Sequence, residues 1–261
     1  MTNPTAAPPS AGTEVAGRVA DVLLLFAGGP QYLGVTAISR ELGISKAVVY
    51  RILQSLVSRE MPESGPEGYR LGPAAVALGV SALRRFNIRS AAAPVLRRLR
   101  DETDETGETT TLSGLVGDER VYLDQFESPR EVKMTIEVGR RFPLHAGSSS
   151  RVILAFLPEG RREAVLSRPL AALTDRTITD EPDLRARLAE TARDGVAVSL
   201  GERQADAASV AAPLFGPDGE AQGSISVCGP LHRFTPEAIA RYRTLVREAA
   251  EEITRTWTAH R

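Results

Sequence analysis

The sequence predicts a mixed α/β chain of the α+β type, and three observations carry that expectation. Apolar residues recur at helical spacing through the segments that precede Ser58. A glycine turn at Gly43 separates two of those short helices. Further along, strand-like runs meet at the turn signals Gly117-Asp118 and Pro217-Asp218-Gly219, which is the mark of antiparallel hairpins with helices at intervals.

The first helix is expected from the stripe Val15, Val19, Val22, Leu23 and Phe26, and Gly28-Gly29-Pro30 stops it. A second, Val35 to Leu42, carries Ile38 and Leu42 four apart and ends at Gly43. Ser45 can cap a third helix to about Ser58. Val49, Ile52, Leu53 and Leu56 form its core stripe, and Lys46, Ala47, Tyr50, Arg51 and Gln54 lie on the other side. The turn residues of Pro62 to Leu71 fit a tight hairpin that ends in Tyr69-Arg70-Leu71. Pro73 to Phe86 reads as a helix with apolar Val76, Leu78 and Val80 and no strong solvent face, so packing on more than one side is expected.

Ser90 to Thr103 follows as a helix, then strands at Thr109 to Val116, Arg120 to Phe126 and Val132 to Val138. Short helices are expected at Ser148 to Phe156 and at Asp183 to Asp194, and a hairpin pairs Ser209 to Phe215 with Ala221 to Val227. The last helix opens at Thr235-Pro236 and carries Ile239, Tyr242, Val246, Ala249, Ile253 and Trp257 on one stripe.

Composition sets limits. The 261 residues hold 32 basic and 33 acidic side chains, a net charge of -1, so no global field draws the molecule to nucleic acid and any such contact needs a local patch. That patch exists between Ile38 and Arg59, where Arg40, Lys46, Arg51 and Arg59 face Glu41 alone. The single cysteine, Cys228, excludes an intrachain disulfide and fits a reducing cytoplasm. Met1 to Gly12 has neither the basic start nor the apolar core of a signal peptide and is expected to be a tail. The small Ala47 at an exposed helix start beside two cations is what a DNA-reading helix needs, because the N-terminal part of such a helix meets base edges. In the hairpin, Arg70 is placed to meet a phosphate or the minor groove.

From Val15 onward the chain resembles the IclR family of bacterial transcriptional regulators. The likeness rests on LGISKAVVYRILQSL at Leu42–Leu56, GYRLGP at Gly68–Pro73, GRRFPLHAGSSSRVILAFLP at Gly139–Pro158, and GERQADAASVAAPLFGPDG at Gly201–Gly219 followed by SISVCGP. It implies a winged helix-turn-helix over residues 13–72, a linker helix over 73–88 and, over 89–261, an effector-binding domain of profilin/GAF-like α+β type. It also implies a homodimer or homotetramer on a palindromic double-stranded operator, with repression more often than activation. DNA contacts are expected from Ser45, Lys46, Ala47, Tyr50, Arg51 and Arg70.

The resemblance places a small-molecule effector against Ser148, Ser149, Ser199, Ser209, Ser226 and Cys228, with Phe142 and Met134 as an apolar wall. Members that take small keto acids carry an acid where Ser199 stands and a cysteine where Ser209 stands. None of these eight positions bears a formal charge, so the expected ligand is an aromatic or short aliphatic acid held by hydroxyls and dipoles. Ser148 to Ser150 at a helix start suits a carboxylate on physical grounds also. An enzyme is disfavoured: Gly147-Ser148-Ser149-Ser150-Arg151 fits neither G-x-S-x-G nor S-x-x-K, and neither a phosphate loop nor a dinucleotide fingerprint is present. No cofactor is expected. A zinc site from Cys228, His145 and His232 and a helix-turn-helix used for protein contacts are the remaining alternatives.

Overall fold

The computed structural model describes residues 14–28, 31–85, 88–103 and 107–259. The expected tail Met1–Gly12, the Gly29-Pro30 stop and Phe86 lie outside them. The chain divides into two units, the first ending at Arg85.

The first unit begins with helices α1 (Glu14–Gly28), α2 (Val35–Leu42) and α3 (Lys46–Val57). Gly43 takes a left-handed conformation, φ 65°, and closes α2. Two residues later the Ser45 hydroxyl accepts the Val48 N–H at 3.4 Å and starts α3. Val22 and Phe26 of α1 meet Ile38 of α2 and Val49, Ile52, Leu53 and Leu56 of α3 in one core. The α1 stripe is shorter than its spacing suggests, because Val15 is 67% exposed.

Strands β1 (Pro62–Gly65) and β2 (Gly68–Leu71) form the hairpin, with Glu63 opposite Arg70. Tyr69 and Leu33 exchange backbone bonds of 2.9 and 3.0 Å, which ties the hairpin to the chain between α1 and α2. Gly68 is required there: its φ is 128°, and a Cβ would sit 2.9 Å from the Leu33 carbonyl oxygen. The helix α4 (Pro73–Arg85) leaves Val76, Leu78 and Val80 exposed rather than packed on several sides. These three side chains find no cover among the described residues.

The second unit starts with α5 (Ile88–Glu102) and continues through β3 (Thr109–Val116), β4 (Glu119–Phe126), β5 (Arg141–Pro143), α6 (Ser148–Ala155), α7 (Glu159–Leu166), α8 (Glu181–Asp194), β6 (Ala197–Leu200), β7 (Ala207–Phe215), β8 (Ala221–Pro230) and α9 (Pro236–Ala259). Six antiparallel strands lie in the order β5-β4-β3-β8-β7-β6. One face is apolar. Leu112, Val210, Ala212, Leu214, Ile225 and Val227 pack there against α5 and the Tyr242, Val246, Ile253 and Trp257 stripe of α9. The other face carries the alternate residues, small and mostly polar, and α6 lies over it with all eight of its residues buried.

Three short elements are additions to the sequence reading: β5, α7 and β6. One expected strand is absent. Val132 to Val138 is not a strand. Its backbone is satisfied by side chains instead of a ladder: Gln125 Oε1 accepts from the Ile136 N–H at 2.9 Å, Gln125 Nε2 donates to the Ile136 carbonyl at 3.0 Å, and Thr109 Oγ1 donates to the Met134 carbonyl at 2.7 Å.

Candidate functional site

On the first unit, α3 presents Lys46, Ala47, Tyr50, Arg51 and Gln54 to solvent, while Ser45, also exposed, caps the helix. Among the described residues neither Lys46 nor Arg51 has an ion-pair partner. Their charges are therefore free for an external anion, and Ala47 leaves room for close approach. Arg70 differs. It pairs with Glu63 across the hairpin and donates from Nη1 to the Tyr32 hydroxyl at 3.2 Å, its guanidinium 5.9 Å from the Tyr32 ring centre. Glu63 raises its already high pKa, so the charge is permanent but partly compensated.

On the second unit, strand register builds the site. Ser199, Ser209, Cys228 and Thr109 stand opposite one another in turn across β6, β7, β8 and β3. Ser226 lies on the same face, two residues from Cys228, and its hydroxyl is 2.7 Å from that of Thr111. Above them the first turn of α6 delivers Ser148, whose Oγ is 2.6 Å from Ser209 Oγ, and Ser149, whose carbonyl accepts from Ser224 at 3.0 Å. Gly147, at φ 85°, allows the chain to enter the helix this close to the sheet.

A small, partly open cavity lies between these groups. Ser148, Ser149, Ser199, Ser209, Ser226, Cys228 and Met134 all line it. Phe142 does not. It sits behind the cavity, edge-on to Tyr122 at 5.6 Å, so the apolar wall expected from Phe142 is supplied by Tyr122 and Met134. Burial pushes the Cys228 thiol up to about 12, with Arg203 and Arg120 opposing part of the rise.

The expectation of a cavity with no formal charge is wrong, because Arg120 and Arg203 line it as well. Arg120 is 1% exposed. Its Nε donates to Ser150 and its Nη1 to Ser113, both at 2.9 Å, and its guanidinium lies 4.1 Å from the Tyr122 ring centre and 4.8 Å from that of Phe142. Arg203, half-buried, covers Phe142 at 4.9 Å. Sequence reasoning missed both: Arg120 lies outside every motif, and Arg203 sits within GERQADAASVAAPLFGPDG without being singled out there. The available signal for Arg120 was its place two residues before Tyr122 on a strand.

The loop that carries Arg203 is anchored by a buried ion pair. Arg151 of α6 joins Glu202 and the Val198 carbonyl, and Glu202 also accepts the Gly147 N–H at 3.3 Å. Thr177 Oγ1 donates to the Glu202 carbonyl at 2.6 Å. Among the described residues no three His, Cys, Asp or Glu side chains converge on a metal-sized site, and His145 Nε2 is 2.9 Å from the Ala171 carbonyl oxygen.

Two family models match the chain: the IclR helix-turn-helix domain over residues 15–61 and the bacterial transcriptional regulator IclR C-terminal domain over residues 80–255. The glycerol operon regulatory protein of Streptomyces griseus is 33% identical over 94% of this chain and 96% of its own. The HTH-type transcriptional regulator BhcR of Paracoccus denitrificans is 32% identical over 94% of this chain and 87% of its own. A solved IclR transcriptional regulator from Silicibacter superposes with a TM-score of 0.86 at 32% identity, covering 94% of this chain and 96% of that one. An IclR homologue from Microbacterium hydrocarbonoxydans, solved with 4-hydroxybenzoate, has a TM-score of 0.75 at 28% identity, covering 94% and 100%. With both of its domains matched in order and its fold shared with solved members, this chain belongs to the IclR family of transcriptional regulators.

Proposed function

We propose that this regulator is a cytoplasmic homodimer or homotetramer that recognises a palindromic operator through α3 and changes its hold on that operator when a small organic or aromatic acid enters the C-terminal cavity. The convergence of Ser148, Ser149, Ser199, Ser209, Ser226 and Cys228 from one helix and three strands on a single cavity carries the reading. In it, Lys46 and Arg70 hold phosphates and Tyr50 and Arg51 meet base edges, with Ser45 and Ala47 letting the helix start approach the duplex. Paired chains present two such helices to successive major grooves. The likeness to the 4-hydroxybenzoate complex supports an acid as ligand.

Catalysis is not part of this proposal. The Ser148 hydroxyl is engaged with Ser209 rather than with a histidine, and His145 Nε2 faces the Ala171 carbonyl, so Ser148 and His145 are not arranged as a nucleophile and its base. Repression is the sign proposed. The test is an operator-binding titration with and without a panel of organic acids, run beside thermal melts. An acid that raises the melting temperature and shifts operator affinity supports the reading. Acids that leave both unchanged, or a full-length protein with no duplex preference at any salt concentration, would overturn it.

A further inference from the structure

The two deeply buried arginines on the polar side of the sheet are treated differently by the chain. Arg151, 0% exposed, has a carboxylate partner in Glu202. Arg120, 1% exposed, has none among the described residues: its neighbours are the Ser150 and Ser113 hydroxyls and the Tyr122 and Phe142 rings, every one of them neutral. Arg203, the nearest cation, adds repulsion rather than relief, and burial with that repulsion lowers the Arg120 pKa from its usual place. No aspartate or glutamate lines the cavity that both arginines reach. Removing a guanidinium from water without a counter-charge is costly, and hydroxyls and ring faces recover only part of that cost.

We propose that the missing counter-charge is the ligand's own: Arg120 is the specificity-determining residue of the cavity, and it selects a compact carboxylate over any neutral molecule of the same shape. The planar fork of the guanidinium matches a carboxylate in two parallel hydrogen bonds, and the two serines that hold Nε and Nη1 fix its orientation before the ligand arrives. Arg203 stacks over the same Phe142 ring from the loop that Glu202 anchors, and it closes the charge from the mouth side. The hydroxyls of Ser148, Ser209 and Ser226 then serve the rest of the ligand rather than its charge. This inference rests on the reading of the cavity as the effector site.

The experiment is calorimetry at fixed ionic strength on the full chain with pyruvate, succinate, benzoate, 4-hydroxybenzoate, the neutral amide of each, and inorganic phosphate. At least one acid is expected to bind, with its amide weaker by about tenfold or more, as loss of a charge-assisted hydrogen bond implies. In Arg120→Gln that preference should fall to within about threefold, and Arg120→Lys should restore part of it. If Arg120→Gln does not fold, the acid–amide comparison in the unaltered chain and the Arg120→Lys variant still decide. Acid and amide binding alike, both lost in Ser209→Val, would keep the cavity as the effector site and remove Arg120 as its selector. An undiminished acid preference in Arg120→Gln would do the same. Phosphate binding more tightly than every acid would overturn the carboxylate assignment, and a chain that binds none of the probes would remove both readings.

Discussion

The hydroxyls of Ser148 and Ser209 lie 2.6 Å apart and join the first turn of α6 to the start of β7 across 61 positions of sequence. The bond closes one side of the cavity. Replacing Ser209 with valine leaves Ser148 without its partner and puts a methyl group into the space beside it. The expected result is a loss of about 1 kcal/mol in stability, together with loss of any ligand-induced rise in melting temperature. A variant that still responds to ligand as the unaltered chain does would place the ligand elsewhere.

Arg51 stands on the exposed side of α3, clear of the Val49, Ile52, Leu53 and Leu56 core. Arg51→Ala should leave the melting temperature unchanged and weaken operator binding by about 1–3 kcal/mol, with relaxed discrimination at one base pair. Footprinting and competition against single-base operator variants would check it. Equal affinity for every variant operator before and after the change would take Arg51 out of the interface.

Arg70 shares its charge with Glu63. Removing Arg70 should weaken binding to all sequences alike and reduce the salt dependence by roughly one counterion's worth. Glu63→Gln should do the reverse and strengthen non-specific binding, because the guanidinium is released for phosphate. A salt titration on random duplex separates the two directions.

How much of this was legible in the sequence depends on how local the cause was. The Gly43 turn, the Ser45 cap and the α3 core stripe are settled within a few residues, and the spacing alone identifies them. The serines of the cavity were placed by resemblance, and strand alternation then explains why Ser226 and Cys228 share a face. Arg120 was legible only as a strand neighbour of Tyr122, two residues away on the same side of β4. Between Leu112 and Ser113 the pairing of β3 with β4 shifts register, so Gln125 and Tyr122 reach the same face of the sheet although simple alternation would separate them. Only that shift shows which side of β4 looks into the cavity. Val132–Val138 failed for a related reason: its alternation is real, but side chains of Thr109 and Gln125 take the bonds that a neighbouring strand would have taken.

The Arg151–Glu202 pair makes its own demand on the fold. Glu202→Gln removes one charge and leaves the Arg151 guanidinium buried without its partner, a change expected to cost about 3–5 kcal/mol. Chemical denaturation would measure it. The Arg203 loop should loosen at the same time, visible as faster backbone hydrogen exchange from Gly201 to Asp206. A loss below about 1 kcal/mol would mean that the pair is solvated in solution.

Cys228 gives a pH signature. Its thiol is pushed up to about 12 from an ordinary 9.0, so between those values the unfolded chain loses a proton that the folded chain retains. Stability from this group is complete below pH 9 and falls as pH rises toward 12, because the unfolded state binds fewer protons there. Native protein at pH 8 should resist iodoacetamide and react only after denaturation. Rapid alkylation of the folded chain would contradict the burial.

Every residue of the helix α6, from Ser148 to Ala155, is buried. A substitution there must satisfy the sheet, the ion pair at Arg151 and the cavity wall at once, which leaves little latitude for inherited change. The residues at the cavity mouth answer to fewer masters. Arg203 and Gln204 sit on a loop, and Met134 on an extended segment held through its backbone. Divergence in what such regulators sense should therefore accumulate at the mouth, while the enclosed helix stays the same beneath a changing set of ligands.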